Sequence, residues 1–439
     1  MNLLSAFPPR PQIFFAAIAP LRYPFPPEEA SSMRILACTV CSLLFLAFPF
    51  VASAQTVKIS AHARALHFSS IVIDTHDDTT QRLLDPHFNL DVRHTDGNID
   101  IPRMKAGGLD GIFFSIYMPG TITGPIAVEK ALEQIDAVRE QARLHPNDIM
   151  LARTAADVRR AFAEHKIAAL MGVEGGHMIN DDLAVLDTFA ALGVRYMTLT
   201  HMVNTDWADS STDKPAHNGL TDFGKQVVLR MNRDGIMVDI SHTADKTFYD
   251  ALAVSKAPLI ASHSSCRALC TAVRNMTDDM IRALAAKGGV IQINYHVGFL
   301  SQEYADYVKA HPEIMKKMND EVAQKCGKDN EACSVLTEDE LVHKMMLDGT
   351  LPRVNWTLIV DHIDHAVKIG GIDHVGLGSD YDGSDMPIGM EDVSHLPEIT
   401  QALLDRGYSD ADIKKILGEN TLRVMAECER VSREMQSQP

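Results

Sequence analysis

The sequence has no excess of positive charge and lacks the short motifs of several large enzyme classes. It carries 41 Lys and Arg against 58 Asp and Glu, a formal net charge of -17 at pH 7. A chain this acidic is a poor partner for nucleic acid or for an anionic membrane surface. It contains no glycine-rich phosphate loop, no Ser-centred nucleophile elbow and no His-Glu-x-x-His helix. Nucleotide-dependent and serine-hydrolase chemistries therefore have no support in the sequence.

Long apolar runs are also scarce, and the one that could serve as a targeting signal lies near the start. Residues 35–51 are apolar, follow Met33 and Arg34, and precede the small residues of Ala52-Ser53-Ala54. A charged start, an apolar centre and a small-x-small end are typical of a secretory signal. We predict an upstream start extension over 1–32, or else a longer leader, a signal peptide over 33–54 and one domain over 55–439. We expect a periplasmic or secreted protein that has no membrane span after cleavage.

Cysteine is rare as well. Two of the 7 cysteines, Cys38 and Cys41, lie in the predicted signal, and the remainder is an odd number, so at least one thiol is unpaired. The remaining cysteines are Cys266, Cys270, Cys326, Cys333 and Cys428. Cys326 and Cys333 bracket a turn-rich segment, which favours a local disulfide in an oxidising compartment.

Apolar runs alternate with amphipathic helical patterns through the rest of the chain. The predicted strands are 71–74, 111–117, 168–173, 196–200, 236–240, 259–261, 290–294 and 375–378. Helices are predicted over 127–143, 155–164, 183–192, 222–233, 278–287 and 409–435. Such alternation predicts parallel strands, and eight of them predict an α/β fold of the (β/α)8 TIM barrel type. A charged helical insertion, about 298–351, falls between strands seven and eight, either as a lid or as surface decoration.

Side chains that can bind metal follow most of these strands. His76 and Asp78 stand two residues apart at the end of the first strand, so they point the same way and can share one ion. The other strand ends carry Glu174, His177, His201, His242, His263 and Asp380. The carboxyl ends of barrel strands meet at one mouth, where we expect these groups to converge.

The expected mouth has enough imidazole and carboxylate for two divalent ions that share a bridging carboxylate. The candidate ligands are His76, Asp78, Glu174, His242 and His263. This donor set favours zinc, although manganese, cobalt or iron remain open. Two ions roughly 3.5–4 Å apart would hold one hydroxide between them and lower its pKa towards neutrality, which is the chemistry of a hydrolase.

From about residue 71 to the end, the sequence resembles the membrane (renal) dipeptidases, a family within the amidohydrolase-type metal-dependent barrels. The segments that carry the resemblance are Asp74-Thr75-His76-Asp77-Asp78, Gly172-Val173-Glu174-Gly175-Gly176-His177, Leu199-Thr200-His201 with Asn204 and Trp207, Ser241-His242, Ser262-His263-Ser264-Ser265, Arg274-Asn275 and Gly376-Leu377-Gly378-Ser379-Asp380-Tyr381-Asp382-Gly383. The resemblance implies a dipeptidase that acts on dipeptides, tolerates a D residue on the C-terminal side and forms a homodimer.

The resemblance also implies residue roles. His76 and Asp78 would hold one zinc, and His242 and His263 the other, with Glu174 bridging the two.

The remaining roles concern the substrate. His201 would contact the scissile carbonyl, and Arg274 would pair bidentately with the terminal carboxylate. Asp380 would move the proton from water to the leaving amine. Either Tyr295 or His296 would supply an aromatic group near the substrate carboxylate. Trp207 is expected either to line the pocket or to pack in the core.

Two other functions stay open from the sequence. One is a different amide or lactone hydrolase with the same metals, such as an enzyme for N-acyl amino acids. The other is a periplasmic binding protein that has lost catalysis, against which the retained Asp380 speaks. Outside the site, His362 and His365 form a tempting pair, which we interpret as part of a solvated helix face.

Overall fold

The computed structural model describes residues 58–327 and 330–438. The predicted start extension and signal peptide lie outside the described residues. The strands are β1 Ile73–Asp77, β2 Gly111–Tyr117, β3 Ile149–Leu151, β4 Ile167–Glu174, β5 Val194–Thr198, β6 Met237–Asp239, β7 Leu259–Ser264, β8 Val290–Ile293 and β9 Val375–Leu377.

The helices cover most of the remaining chain. They are α1 Ala61–Phe68, α2 Thr80–Leu83, α3 Ile101–Gly107, α4 Pro125–Leu144, α5 Ala155–Ala163, α6 Leu183–Leu192, α7 Asp222–Asp234, α8 Asp245–Val254, α9 Asp278–Ala286, α10 Val297–Leu300, α11 Gln302–Ala310, α12 Pro312–Cys326, α13 Glu331–Asp348, α14 Thr357–Gly370, α15 Leu396–Asp405, α16 Asp410–Lys414 and α17 Asn420–Ser437. Within the described ranges, no helix is both long and apolar enough to cross a membrane.

The sheet closes into a barrel of parallel strands. Its order is β2-β1-β9-β8-β7-β6-β5-β4, and β2 pairs with β4 over seven residues to complete the circle. β3 is an additional short strand that pairs with the first residues of β4. The predicted (β/α)8 barrel is therefore confirmed, and β3 is the strand that the sequence did not predict. At three residues, β3 is too short to leave a periodic pattern.

The apolar strands are buried on both faces. Every residue of β4 is buried, because one face points into the barrel and the other packs under the helices. The helices begin where the sequence places their caps. Thr154 caps α5 in a capping box with Asp157, and Thr277 caps α9. The core thus fixes the strand ends, and the loops that follow them carry the site.

The predicted insertion consists of α10 to α13 and lies between β8 and β9, the seventh and eighth strands of the barrel. A disulfide joins Cys326, the last residue of α12, to Cys333 in the first turn of α13, as the sequence predicted. The other cysteines of the described chain, Cys266, Cys270 and Cys428, are free and buried.

Two helical predictions need correction. The predicted helix 409–435 is interrupted by a π-helical turn over Lys415–Glu419, between α16 and α17. The π turn carries Gly418 beneath the first strand, where a side-chain carbon would approach the Ile71 carbonyl to 2.5 Å.

His362 is not on a solvated face, because it is only 1% exposed. Its Nδ1 accepts a hydrogen bond from the Cys266 N–H, and its Nε2 donates to the Leu300 carbonyl.

Candidate metal centre and substrate cavity

The ends of six barrel strands bring the predicted ligands together at the carboxyl mouth of the barrel. His76 lies in β1, Glu174 ends β4 and His263 lies in β7. The loops directly after β1, β5, β6 and β9 carry Asp78, His201, His242 and Asp380. Their candidate ligand atoms form three overlapping groups, each within 4.8 Å: His76, Glu174 and His263; Glu174, His201 and His242; His76, Asp78 and Asp380.

Glu174 stands at the centre and turns its two carboxylate oxygens in different directions. Its Oε2 lies 3.4 Å from Nε2 of His76. Its Oε1 lies 3.0 Å from Nε2 of His242 and 3.3 Å from Nε2 of His263. One oxygen of this carboxylate therefore faces His76 and the other faces His242 and His263, which is the arrangement that a bridging ligand requires.

Asp78 and Asp380 complete the side of the centre that faces His76. Nε2 of His76 lies 3.4 Å from Asp78 Oδ2 and 3.8 Å from Asp380 Oδ1. Asn294 donates to Asp380 Oδ2 at 2.9 Å and so orients the carboxylate. Both Asp380 and His242 have left-handed backbone, with φ of 70° and 65°. Such conformations are costly outside glycine and concentrate at functional sites.

The imidazoles are oriented by groups behind them. Nδ1 of His76 lies 2.7 Å from the Tyr196 hydroxyl. The Tyr196 ring occupies the space above Gly172, where a side-chain carbon would come within 1.9 Å of it. Nδ1 of His263 lies 2.8 Å from the Ser262 hydroxyl, which donates to Asp239. Partners on Nδ1 leave Nε2 available to a metal in both residues.

The residues fit a divalent metal. His76 Nε2 and Asp78 Oδ1 are buried and have no hydrogen-bond partner among the described residues. Burial raises the pKa of Asp78 to about 7, and the nearby Glu174 carboxylate adds to the effect. Burial alone would also raise the pKa of Glu174, but the imidazoles of His76 and His201 hold it well below its usual range. Converging carboxylates and imidazoles are a typical donor set for zinc and related metals.

A cavity of about 480 Å³ opens above this centre. That volume is in the range of small-molecule sites. His201 lines the cavity, and its ring packs edge to face on Tyr117 with centroids 4.9 Å apart. Burial lowers the pKa of His201 to about 4, so the imidazole is neutral and retains one N–H donor. Its Nδ1 has no partner among the described residues.

Arg274 supplies a cation to the cavity wall. The side chain is 6% exposed, and its guanidinium lies 5.3 Å from the centre of the Phe299 ring. Its Nη2 donates to the His263 carbonyl, but Nε and Nη1 are buried without a partner in the described chain. Burial lowers its pKa to about 10, which leaves the group charged at neutral pH. Free planar donors in a cavity are suited to a carboxylate.

Two of the predicted substrate residues lie outside the cavity lining. Tyr295 is fully buried and packs edge to face against Tyr381. Trp207 is 1% exposed and fills the space beside Gly176. Of the neighbours Tyr295 and His296, the structure places His296 in the cavity wall. Trp207 occupies the core, which was the second position expected for it.

Several residues that build the site were not identified from the sequence. They are the supporting groups Tyr196, Asp239, Ser262 and Asn294, and the cavity-lining acids Glu331, Glu338 and Asp385. Asp239 could have been identified from the sequence, because it is a charged residue inside a predicted apolar strand. Ser262 supports its chain neighbour His263, whereas Tyr196 and Asn294 act through contacts between distant parts of the chain, for which the sequence offers no spacing rule.

A shell of imidazoles and carboxylates at the mouth of a (β/α)8 barrel defines a metal-dependent hydrolase of the amidohydrolase type. A family model described as membrane dipeptidase (peptidase family M19) matches residues 60–439. The chain therefore belongs to the membrane dipeptidase family, and it is a metallo-dipeptidase.

Known proteins support this assignment. Dipeptidase 3 of Mus musculus is 32% identical over 385 residues, which cover 85% of this chain and 68% of the mouse protein. The probable dipeptidase PvdM from Pseudomonas aeruginosa aligns with a TM-score of 0.72 and 29% identity over 84% of this chain and 98% of that one. A metallopeptidase from Rhodobacter sphaeroides, solved with a phosphinate mimic of L-Ala-D-Ala, has a TM-score of 0.67 and 26% identity over 82% of this chain and 99% of that one.

Proposed function

We propose that this protein uses two zinc ions to hydrolyse dipeptides and accepts a D residue at the C-terminal position. The observation that carries the proposal is the position of Glu174, whose two oxygens face separate imidazole groups beneath a dipeptide-sized cavity. The phosphinate bound by the Rhodobacter sphaeroides relative mimics a dipeptide with a C-terminal D residue, which supports the stereochemical part.

The proposed ligand set has two halves that share Glu174. His76 and Asp78 would hold one ion, and His242 and His263 the other. Bound there, the two ions would supply Lewis acidity and a water of lowered pKa.

Asp380 is suited to move protons beside this centre. Burial tends to raise its pKa, but His263 and His76 outweigh this and hold the pKa below its usual range. Asp380 is therefore ionised at neutral pH and can accept a proton from the attacking water. The same carboxyl can then deliver the proton to the leaving amine, as a general base that becomes a general acid. Asn294 keeps the carboxylate oriented during both transfers.

Two further groups would hold the substrate. Arg274 lines the cavity, has donors without a partner among the described residues, and would bind the terminal carboxylate. Neutral His201 can donate a hydrogen bond to the scissile carbonyl as negative charge develops on its oxygen.

The direct test is release of free amino acids from matched L,L and L,D dipeptides by the zinc-loaded protein. We expect turnover of both, and Asp380→Asn should lower kcat by about 10²–10⁴-fold. Metal content and thermal unfolding of the variant serve as controls, and both should match the parent protein. Turnover of N-acyl amino acids without turnover of dipeptides would replace this proposal with an amide hydrolase. An active Asn variant would remove Asp380 from the mechanism.

We also propose that the protein is exported and cleaved after Ala54. The disulfide between Cys326 and Cys333 supports an oxidising compartment. The intact mass of the mature protein from a periplasmic fraction would test both points, since a mass that retains residues 33–54 would contradict them. The family resemblance further suggests a homodimer, which light scattering of the mature protein would test.

A further inference from the structure

The lining of the cavity above the metal centre includes a basic side chain on one wall and acidic side chains elsewhere. One wall, in the loop after β7, carries Arg274 with its unpartnered donors. Other elements of the cavity lining carry acids, namely helix α13 of the insertion and the loop after β9. A dipeptide carries an ammonium group at one end and a carboxylate at the other, so such walls would impose one direction of binding.

The acidic side is built on one face of α13. Glu331, Val335 and Glu338 line the cavity, and their spacing of four and three residues places them on one stripe of the helix. Ala332 lines the cavity beside them. The loop after β9 adds Asp385, which is only 6% exposed. We name Glu338 and Asp385 the acidic wall.

The acidic wall makes no ion pair or side-chain hydrogen bond within the part of the chain that the structure describes. Among the described residues, no Lys, Arg or His nitrogen lies within 4.0 Å of the Glu338 or Asp385 carboxylate, and neither side chain makes a hydrogen bond. Asp382, in contrast, is fully engaged, because it accepts hydrogen bonds from Thr79 and from the Asn98 N–H. Asp385 is buried and Glu338 is half-buried. A buried carboxylate such as that of Asp385 is costly without a partner, and such groups persist where a ligand satisfies them.

Electrostatics within the wall are unfavourable. Burial, and then repulsion from Glu338, Asp339 and Asp380, raises the pKa of Asp385 well above its usual range. Burial and the neighbouring Glu331 raise the pKa of Glu338. A cation from the substrate would relieve this repulsion.

The position of the wall indicates which part of the substrate it meets. With the terminal carboxylate on Arg274 and the scissile carbonyl at the metal centre, the N-terminal residue extends towards the remaining walls. The α-amino group is only one carbon from that carbonyl, whereas neither acid of the wall belongs to the clustered ligand groups. A long side chain could reach them, and its methylenes would pass along the apolar Val335 and Ala332.

We propose that the acidic wall selects dipeptides whose N-terminal residue has a cationic side chain, such as lysine or arginine. This inference rests on the proposed dipeptidase function. It assigns Glu338 and Asp385 as specificity residues that touch the substrate away from the reacting atoms.

The test compares Lys-Ala with Met-Ala, which has a neutral side chain of similar length. We expect kcat/KM for Lys-Ala to exceed that for Met-Ala by about tenfold, mainly through KM, and to fall at high salt. The isosteric variants Glu338→Gln and Asp385→Asn should each reduce this ratio, and the double variant should bring it near one. Glu340→Gln on the same helix is the matched control, because Glu340 is exposed and pairs with Lys325, and it should leave the ratio unchanged.

A second substrate pair distinguishes the side chain from the α-amino group. 6-Aminohexanoyl-alanine has the lysine ammonium but no α-amino group, and hexanoyl-alanine has neither. A higher kcat/KM for 6-aminohexanoyl-alanine than for hexanoyl-alanine, with loss of this difference in the double variant, would support the proposal. If the variants alter only the discrimination between Met-Ala and hexanoyl-alanine, the wall binds the α-ammonium and the proposal is wrong. Equal rates for Lys-Ala and Met-Ala in the parent protein would overturn it while leaving the dipeptidase function intact. Absence of turnover on every dipeptide would overturn both.

Discussion

The barrel mouth and the helical insertion form opposite sides of one cavity, but they are built differently. At the mouth, the candidate ligands stand at strand ends and are almost fully buried, and second side chains orient some of them, as Tyr196 orients His76. In the insertion, charges such as those of Lys316 and Asp320 pair on the exposed surface. A local disulfide joins the end of α12 to the first turn of α13, beside the residues of α13 that line the cavity.

The contrast separates the residues suited to the reaction from the residues suited to selecting the substrate. Groups on strand ends are fixed by the most rigid part of the fold, which suits a metal centre that tolerates little displacement. The insertion lines the cavity but contributes none of the clustered ligand groups, so its residues can change without disturbing the metal centre. This division lets one barrel serve different dipeptides by variation of its loops.

The largest predicted effect concerns the junction between the two regions. His362, on α14, binds the Cys266 N–H near the barrel and the Leu300 carbonyl at the end of α10. Burial lowers its pKa to about 4, below the value of about 6.5 in an unfolded chain. Its stabilisation is therefore complete above pH 6.5 and is lost as the pH falls towards 4, by up to about 3 kcal/mol.

Urea unfolding of the parent protein and of His362→Gln at pH 7 and pH 4.5 measures this effect. The difference in the free energy of unfolding between them should shrink at the lower pH. His365→Gln, on the same helix, corrects for the loss of a histidine in general. A difference that stays constant with pH would show that His362 does not titrate at the junction.

The second prediction removes the constraint on the insertion. The pair Cys326→Ser and Cys333→Ser opens a loop of seven-residue separation, which should destabilise the insertion locally by about 2.5 kcal/mol. We expect faster proteolysis between α12 and α13 and a higher KM, because the first turn of α13 lines the cavity. The thermal unfolding midpoint of the barrel, measured by near-ultraviolet circular dichroism, should be nearly the same in the variant as in the parent protein. A fall in kcat at constant KM would contradict the division between the regions.

The third prediction removes one support of the metal centre. Tyr196→Phe deletes the hydroxyl beside Nδ1 of His76 and should weaken metal binding by about 10–100-fold, about 2 kcal/mol. Titration of the metal-free protein with zinc against a competing chelator measures this. Tyr408→Phe is the matched control, since its hydroxyl binds Asp364 near the surface. Unchanged affinity in Tyr196→Phe would mean that the hydroxyl does not orient His76.

Much of the molecule could be predicted because its signals are local. Strands buried on both faces read as apolar runs, the caps Thr154 and Thr277 mark helix starts, and a loop of seven-residue separation permits the Cys326–Cys333 disulfide. Because parallel strands present their carboxyl ends at one mouth, the side chains that follow them had to meet. The sequence therefore predicted which side chains converge at the mouth, and their binding of metal stays a prediction.

What depends on contacts between distant residues could not be predicted from the sequence. His362 looked like part of a solvated face because helical spacing says nothing about what packs against a helix. The approach of Tyr196 to His76 joins residues 120 positions apart across the barrel and needs the space above Gly172. The sequence alone determined which groups reach the mouth, through the two-residue period of strands. Only the tertiary structure decided how the Glu174 oxygens are oriented and which acids line the cavity, because packing sets those orientations.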